Sequence, residues 1–202
     1  MKILLIGASG IIGAAVNTAL APEHNVITAN HSKGDLRVDL GSPDSIQAML
    51  AAAGKVDAII STAGLASFSA FNSLTDADYQ LALQNKLMGQ VNLVRLGQYC
   101  VNPGGSITLT SGVLSQCPMP GSTVLSMANG ALESFVKAAA LELDNLRLNV
   151  VSPIFVKETM IKMGMDTATG LSAADTANAY VCAITGKMNG QTLAAPDYIP
   201  SA

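Results

Sequence analysis

The stretch that most constrains this chain is its opening, Lys2-Ile-Leu-Leu-Ile-Gly-Ala-Ser-Gly-Ile-Ile-Gly13. Ile3 to Ile6 is a wholly apolar run, as a strand buried on both faces requires, and it stops at once on glycines spaced Gly7-x-x-Gly10-x-x-Gly13. A helix is expected from Ile11 to Leu20. Glycines at a strand-to-helix junction let the backbone turn tightly and approach a pyrophosphate, whose charge rests against the free N–H groups and positive dipole end of the helix. Gly10 and Gly13 keep the register of the usual dinucleotide fingerprint, G-x-G-x-x-G, while Gly7 stands one place further back. The junction therefore reads either as a nucleotide cradle or as a tight turn that binds nothing, and the rest of the chain decides between them.

Strand and helix signals alternate from there on. His24 to Ala29 reads as a second strand, with the polar run Asn30-His-Ser-Lys-Gly-Asp35 at its end. Ser42-Pro43-Asp44-Ser45 opens a helix that carries Ile46, Met49, Leu50 and Ala53 at helical spacing and stops at Gly54. Val56 to Ile60 is a third strand, leading into Ser61-Thr-Ala-Gly64, and two helices are expected over Thr75 to Gln84 and Leu87 to Cys100. Asn102-Pro-Gly-Gly105 breaks the pattern before a fourth strand at Ser106 to Ser111. The longest helix should span Ser122 to Leu143, followed by a strand at Leu146 to Val151, a helix at Ala173 to Thr185 and a short ending, Gly190-Gln-Thr-Leu193. No repeat or linker interrupts the series. The order predicts a single α/β domain over residues 1–202, a doubly wound parallel sheet with helices on both faces.

Composition narrows the partners. A chain of 202 residues that is 50% hydrophobic can bury a substantial core in one domain. Charged residues make up only 12% and the net charge is −3, so there is no basic stripe for nucleic acid and no polybasic patch for anionic lipid. Low charge and many alanines instead suggest apolar surface covered by a second copy, in a homodimer or homotetramer, with a very compact monomer as the alternative. The chain passes from Met1-Lys2 straight into a strand, and no run approaches the roughly eighteen apolar residues of a membrane span, so a cytoplasmic location is expected. Cys100, Cys117 and Cys182 are odd in number, far apart and lack C-x-x-C spacing, which leaves buried thiols rather than a disulfide frame or a metal site.

The polar run after the second strand bears on the cofactor. In nucleotide-binding α/β folds this strand end meets the adenosine ribose, where a carboxylate favours NAD and a cation accommodates the 2′-phosphate of NADP. Asn30, His31, Ser32 and Lys33 stand there with no carboxylate before Asp35, which favours NADP over NAD. An ordinary solvated turn is the alternative.

With these elements in order, the chain resembles the short-chain dehydrogenase/reductase family, enzymes that pass hydride between NAD(P) and a carbonyl or alcohol. The resemblance runs over nearly the full length. It rests on Gly7-Ala-Ser-Gly-Ile-Ile-Gly13, on Asp39-Leu40, on Ser61-Thr-Ala-Gly64, which is similar to the family's Asn-Asn-Ala-Gly, and on Ser111 closing a strand. Ala131-Leu-Glu133 and Ala140-Leu-Glu142 on the long helix and Asn149-Val-Val-Ser-Pro153 after it add to the match. The resemblance implies a Rossmann-type sheet and a dinucleotide held by Gly7, Ser9, Gly10, Ile11, Ile12 and Gly13. The same site would include Asn30 to Lys33, Asp39 beside the adenine with Leu40, and Ala63, Gly64, Asn129 and Pro153. The glycine spacing is that of the family's extended and atypical branches. The segment after Pro153, where substrate-covering helices stand in the family, is short, and Ile154 replaces the family's glycine.

The catalytic motif departs further. In the family a serine and a tyrosine bond the substrate oxygen, and a lysine four residues after the tyrosine lowers its pKa. Anchoring on Ala131-Leu-Glu133 puts Leu125 at the tyrosine position and Asn129 at the lysine position. Leucine has no exchangeable proton, and asparagine carries no charge with which to depress a neighbour's pKa. No tyrosine occurs between Tyr99 and Tyr180, and Tyr180 falls on a helix that is structural in the family. The family's fourth catalytic member, an asparagine, has two candidates: Asn85 by residue type and Lys86 by its spacing to Gly89. Lys86 reads either as a solvated helix lysine or as a replacement proton donor or binder of an acidic ligand, and Ser111 either as a turn-maker beside Gly112 or as the group that polarises a carbonyl. Two functions compete on these residues. One is an NADP-dependent oxidoreductase acting on a small carbonyl or alcohol, and the other is a non-catalytic NADP(H)-binding sensor or scaffold. Substrate contacts are expected from Ala66 to Leu74, Cys117 to Thr123 and Phe155 to Met165, with Met119, Met160 and Met163 forming an apolar mouth.

Overall fold

The computed structural model describes residues 1–200 and contains one seven-stranded, all-parallel sheet. The strands are β1 (Lys2–Ile6), β2 (Asn25–Asn30), β3 (Leu36–Arg37), β4 (Val56–Ser61), β5 (Val101–Thr110), β6 (Arg147–Ser152) and β7 (Thr192–Ala194), in spatial order β3-β2-β1-β4-β5-β6-β7. The order reverses between β1 and β4, and ligands of such sheets bind in the crevice at the carboxyl ends of the strands on either side of that reversal. Helices α1 (Ile11–Leu20), α2 (Pro43–Ala53), α3 (Asp76–Leu81), α4 (Met88–Gly97), α5 (Thr123–Ala139), α6 (Lys157–Lys162) and α7 (Ala173–Thr185) cover both faces.

The apolar opening strand is explained by this layering. Ile3 and Leu5 point to the face covered by α1 and α7, where they meet Val16, Leu20, Ala177 and Tyr180, while Leu4 and Ile6 point to the opposite face with Met49, Leu93 and Leu132 from α2, α4 and α5. Tyr180 is fully buried there and its hydroxyl pairs with Thr110 Oγ1 at 2.7 Å, which makes it a core tyrosine.

Several boundaries differ from the sequence reading, each for a local reason. β2 runs on through Asn30, because Asn30 pairs with Arg37 of β3, a short strand that the sequence did not announce. Asn102 to Gly105 belongs to β5 rather than preceding it. Val101 pairs with Val56 and Ser106 with Ala58, so the intervening residues form a bulge opposite Asp57, whose carboxylate accepts from Asn102 Nδ2 at 2.7 Å and from the Lys2 amide at 2.7 Å. The two helices expected over Thr75 to Cys100 are joined without a break by a π turn at Ala82–Leu87. The long helix ends earlier than expected, at Ala139, and α6 was not foreseen.

Candidate functional site

Two neighbouring cavities lie at the carboxyl edge of the sheet and share Thr62 and Gly64 in their walls. The first, of about 340 Å³, is built around the glycine loop and lined by Gly7, Ser9, Gly10, Asn30, His31, Ser32, Asp39, Leu40, Ala63, Gly64 and Asn85, among others. The loop is as tight as its glycines require. Gly7 has φ +86°, and a Cβ on Gly13 would stand 2.0 Å from the Gly7 carbonyl oxygen. Helix α1 is preceded by Gly10 as its N-cap, with no side-chain cap and no acidic residue in its first turn, so its leading N–H groups and positive dipole end remain available to an anion. Asn30 Oδ1 accepts from the Ser9 amide at 2.9 Å and from Ser9 Oγ at 3.0 Å, which ties the loop to the end of β2.

The ribose end carries no free carboxylate on β2. Asp35 is turned back onto the strand, where it accepts from the Thr28 amide at 2.9 Å and from Thr28 Oγ1 at 2.8 Å, and these bonds hold its carboxyl below the usual range, the amide contributing most. His31 and Ser32 line the cavity, and the next residue, Lys33, is exposed and does not line it. Arg37, which the sequence reading did not single out, lies opposite Asn30 on β3 and is exposed. Asp39 Oδ1 accepts from the Gly41 amide at 2.8 Å while the residue faces the cavity. The cradle, the uncapped helix and this polar rim fit a dinucleotide. Ile11 and Gly13 shape the loop from behind without lining either cavity.

The second cavity, of about 370 Å³, is lined by Ile12, Thr62, Gly64, Lys86, Thr110, Ser111, Gly112, Asn129, Pro153 and Thr159, with Val113, Leu114, Leu125, Ile154, Phe155 and Val156 forming an apolar wall. The two candidates on this helix, Asn85 and Lys86, face different cavities. The π turn rotates Lys86 into this cavity, whereas Asn85 faces the first one and accepts from the Leu65 amide at 2.8 Å. A solvated lysine it is not: Lys86 is only 7% exposed. Gly64 makes the room, since a Cβ there would lie 3.0 Å from Lys86 Cγ. Among the described residues the only hydrogen bond of the Lys86 ammonium is a long one, 3.4 Å, to the Ser111 carbonyl oxygen, and burial pulls its pKa down to about 8.

Ser111, at the end of β5, is buried, and its hydroxyl donates to Glu133 Oε1 at 2.9 Å. Glu133 also accepts from Ser115 Oγ at 2.7 Å and from Gln116 Nε2 at 3.5 Å. Glu133 was not foreseen as part of the site. The signal was present, because Leu125, Asn129 and Glu133 follow one another at four-residue spacing along the same row of α5. Asn129 donates to the Gly112 carbonyl at 3.3 Å, while its buried Oδ1 has no partner among the described residues. Leu125 and Asn129 thus stand in the wall of this cavity, and no tyrosine is among the residues lining it. Tyr180, held in the core, has its pKa driven upward by burial and stays protonated. Of the expected apolar mouth, Met119 and Met163 are exposed, but Met160 is packed in the interior at 3% exposure. Among the described residues no cluster of metal-ligating side chains occurs, and no helix is long and apolar enough to cross a membrane.

A doubly wound parallel sheet with a glycine cradle at its switch point defines a dinucleotide-binding α/β protein. Comparison with known proteins makes this specific. A family model described as enoyl-(acyl carrier protein) reductase matches residues 8–188. An uncharacterised oxidoreductase of Methylorubrum extorquens is 27% identical over 178 residues, 76% of this chain and 72% of that one. Among solved structures, a Listeria innocua protein superposes with a TM-score of 0.93 at 40% identity, covering 96% of this chain and 98% of its own. A small-chain dehydrogenase in complex with NADPH superposes with a TM-score of 0.87 at 27% identity, covering 96% and 95%. The chain belongs to the short-chain dehydrogenase/reductase family of oxidoreductases.

Proposed function

We propose that the protein is an NADPH-dependent reductase of small carbonyl compounds in which Lys86 supplies the proton. The observation that carries this reading is the buried ammonium of Lys86, weakly bonded and set in the same cavity as Ser111 and Asn129. A scaffold that only held a dinucleotide would have no use for a desolvated cation at that place. The glycine loop with Ser9, Asn30 and Asp39 would hold the adenosine and pyrophosphate, and Asn129 Oδ1, an unpaired acceptor, would take a ribose hydroxyl. Exposed Lys33 and Arg37 beside His31 and Ser32, with Asp35 folded away, favour NADPH over NADH. So does the relationship to a dehydrogenase structure that contains NADPH.

NADPH, when bound, supplies hydride to a carbonyl carbon. The residues of the chain manage the oxygen. Lys86 Nζ donates a hydrogen bond to it and passes over a proton as negative charge develops, leaving a neutral amine that is re-protonated from solvent. A lysine with a pKa of about 8 does this far more readily near neutral pH than one at the ordinary 10.5. Ser111 is not the donor, because its one proton is directed to Glu133. The apolar wall from Val113 to Val156 excludes water and accepts a hydrocarbon body.

The test is NADPH oxidation against a panel of apolar ketones and aldehydes. Turnover is expected to fall as pH rises through about 8, as the ammonium is lost. Lys86→Met is expected to lower kcat about a hundredfold or more with NADPH affinity unchanged. NADPH binding without turnover of any carbonyl would overturn the proposal, and turnover of an enoyl thioester alone would move the acceptor of hydride from C=O to C=C.

A further inference from the structure

The polar inventory of the second cavity specifies more than a carbonyl. Lys86 has three N–H donors and, among the described residues, a single partner, the Ser111 carbonyl at 3.4 Å, so donors are in surplus. The Ser111 hydroxyl is in the opposite state. It has one proton and two acceptors inside the protein, Glu133 Oε1 at 2.9 Å and the Val151 carbonyl at 3.4 Å. No protein group among the described residues donates to its oxygen. Glu133 is itself only 7% exposed and sits behind Ser111, receiving hydroxyls from Ser111 and Ser115. A carboxylate in that position can only accept, so it fixes the serine proton away from the cavity and leaves Ser111 Oγ to act as an acceptor.

We infer that the substrate is a hydroxy ketone, an apolar molecule whose carbonyl takes a hydrogen bond from Lys86 and whose nearby hydroxyl donates to Ser111, with Glu133 as the residue that sets the polarity of that serine. This rests on the reductase reading for the identity of the carbonyl. Lys86 Nζ lies 3.4 Å from the backbone carbonyl of the residue whose side chain is the acceptor, and both residues line the one cavity, so a single small ligand can meet donor and acceptor together. Val113, Leu125, Ile154 and Phe155 would surround the hydrocarbon part. A plain ketone would leave Ser111 Oγ desolvated with no donor, and a site built to read a hydroxyl discriminates against the analogue that lacks it.

The experiment is calorimetric titration of propiophenone and of its α- and β-hydroxy derivatives into the protein saturated with tetrahydro-NADP, which has no hydride to give. Preference is thereby read without turnover, and failure of the reductase reading shows separately, as lack of NADPH oxidation. At least one hydroxylated ligand is expected to bind about fivefold or more tightly than the parent, the worth of one hydrogen bond. Ser111→Ala should bring the ratio to about one. Glu133→Gln, whose amide can donate to Ser111 and turn its proton outward, should lower the ratio while the melting temperature and cofactor affinity report an intact fold. Equal binding of parent and hydroxylated ligands by the wild type, or a preference that survives Ser111→Ala, would overturn the inference.

Discussion

Lys86 brings a charge into a wall of Leu114, Leu125 and Ile154, and it is joined there to one carbonyl oxygen by a long bond. The sign of its effect on stability follows from burial. In the unfolded chain its pKa is near the ordinary 10.5, and in the folded chain desolvation lowers it to about 8. Below the folded value both states are protonated, and the native state carries the full desolvation penalty. Between about 8 and 10.5 the unfolded state binds more protons, so native stability should rise with pH across that window relative to Lys86→Met. Urea unfolding of both proteins at a series of pH values measures the difference, which should be largest near pH 7 and shrink toward pH 10.5. The sequence left Lys86 open between solvent and site because its burial depends on residues far from it. Gly64 clears its path from another element, and the π turn that rotates it has no signature in Ala82 to Leu87. Glu133 is the contrasting case: its place on the row of Leu125 and Asn129 was legible, but its partners Ser111 and Ser115 come from another segment and only folding joins them.

At the level of elements, the legible parts were those whose pattern and packing coincide. β1 could be read because burial on both faces demands an unbroken apolar run, and α7 because Ser172 caps it, accepting from the Asp175 amide at 2.9 Å. β3 could not be read, being two residues long and held by its pairing with β2. The β5 bulge was hidden because Pro103 and two glycines signal a turn equally well. Two glycine substitutions separate the roles of two elements. A Cβ on Gly13 would collide with the Gly7 carbonyl, which both shape the cradle, so Gly13→Ala should destabilise the fold by about 1–3 kcal/mol and abolish dinucleotide binding. Gly130, in the interior of α5, has nothing within 4 Å of where its Cβ would stand. Gly130→Ala should therefore stabilise the protein by about 0.5–1 kcal/mol through helix propensity alone, with cofactor affinity unaltered. Chemical denaturation and fluorescence titration with NADPH would read both pairs of effects.

Over the whole molecule, the dinucleotide is the ligand through which site and fold are linked. Binding to the native state alone adds about 2.7 kcal/mol at a hundred times the dissociation constant, so the melting temperature reports affinity directly. The chain carries a net charge of −3, and at the adenosine end Lys33 and Arg37 are exposed around His31 and Ser32 while Asp35 is bonded to Thr28. If these two exposed cations recognise a 2′-phosphate, NADPH should raise the melting temperature more than NADH at equal concentration. The excess should shrink with added salt, because these cations are exposed and screened over about 10 Å at 0.1 M ionic strength. Lys33→Ala and Arg37→Ala should each reduce the shift given by NADPH and leave that given by NADH unchanged. Ser32→Asp should reverse the order, by repelling the phosphate and offering an acceptor to the free ribose hydroxyl. Equal shifts for the two cofactors in the wild type would remove the assignment of NADPH and leave the cradle, Lys86 and Ser111 serving NADH instead.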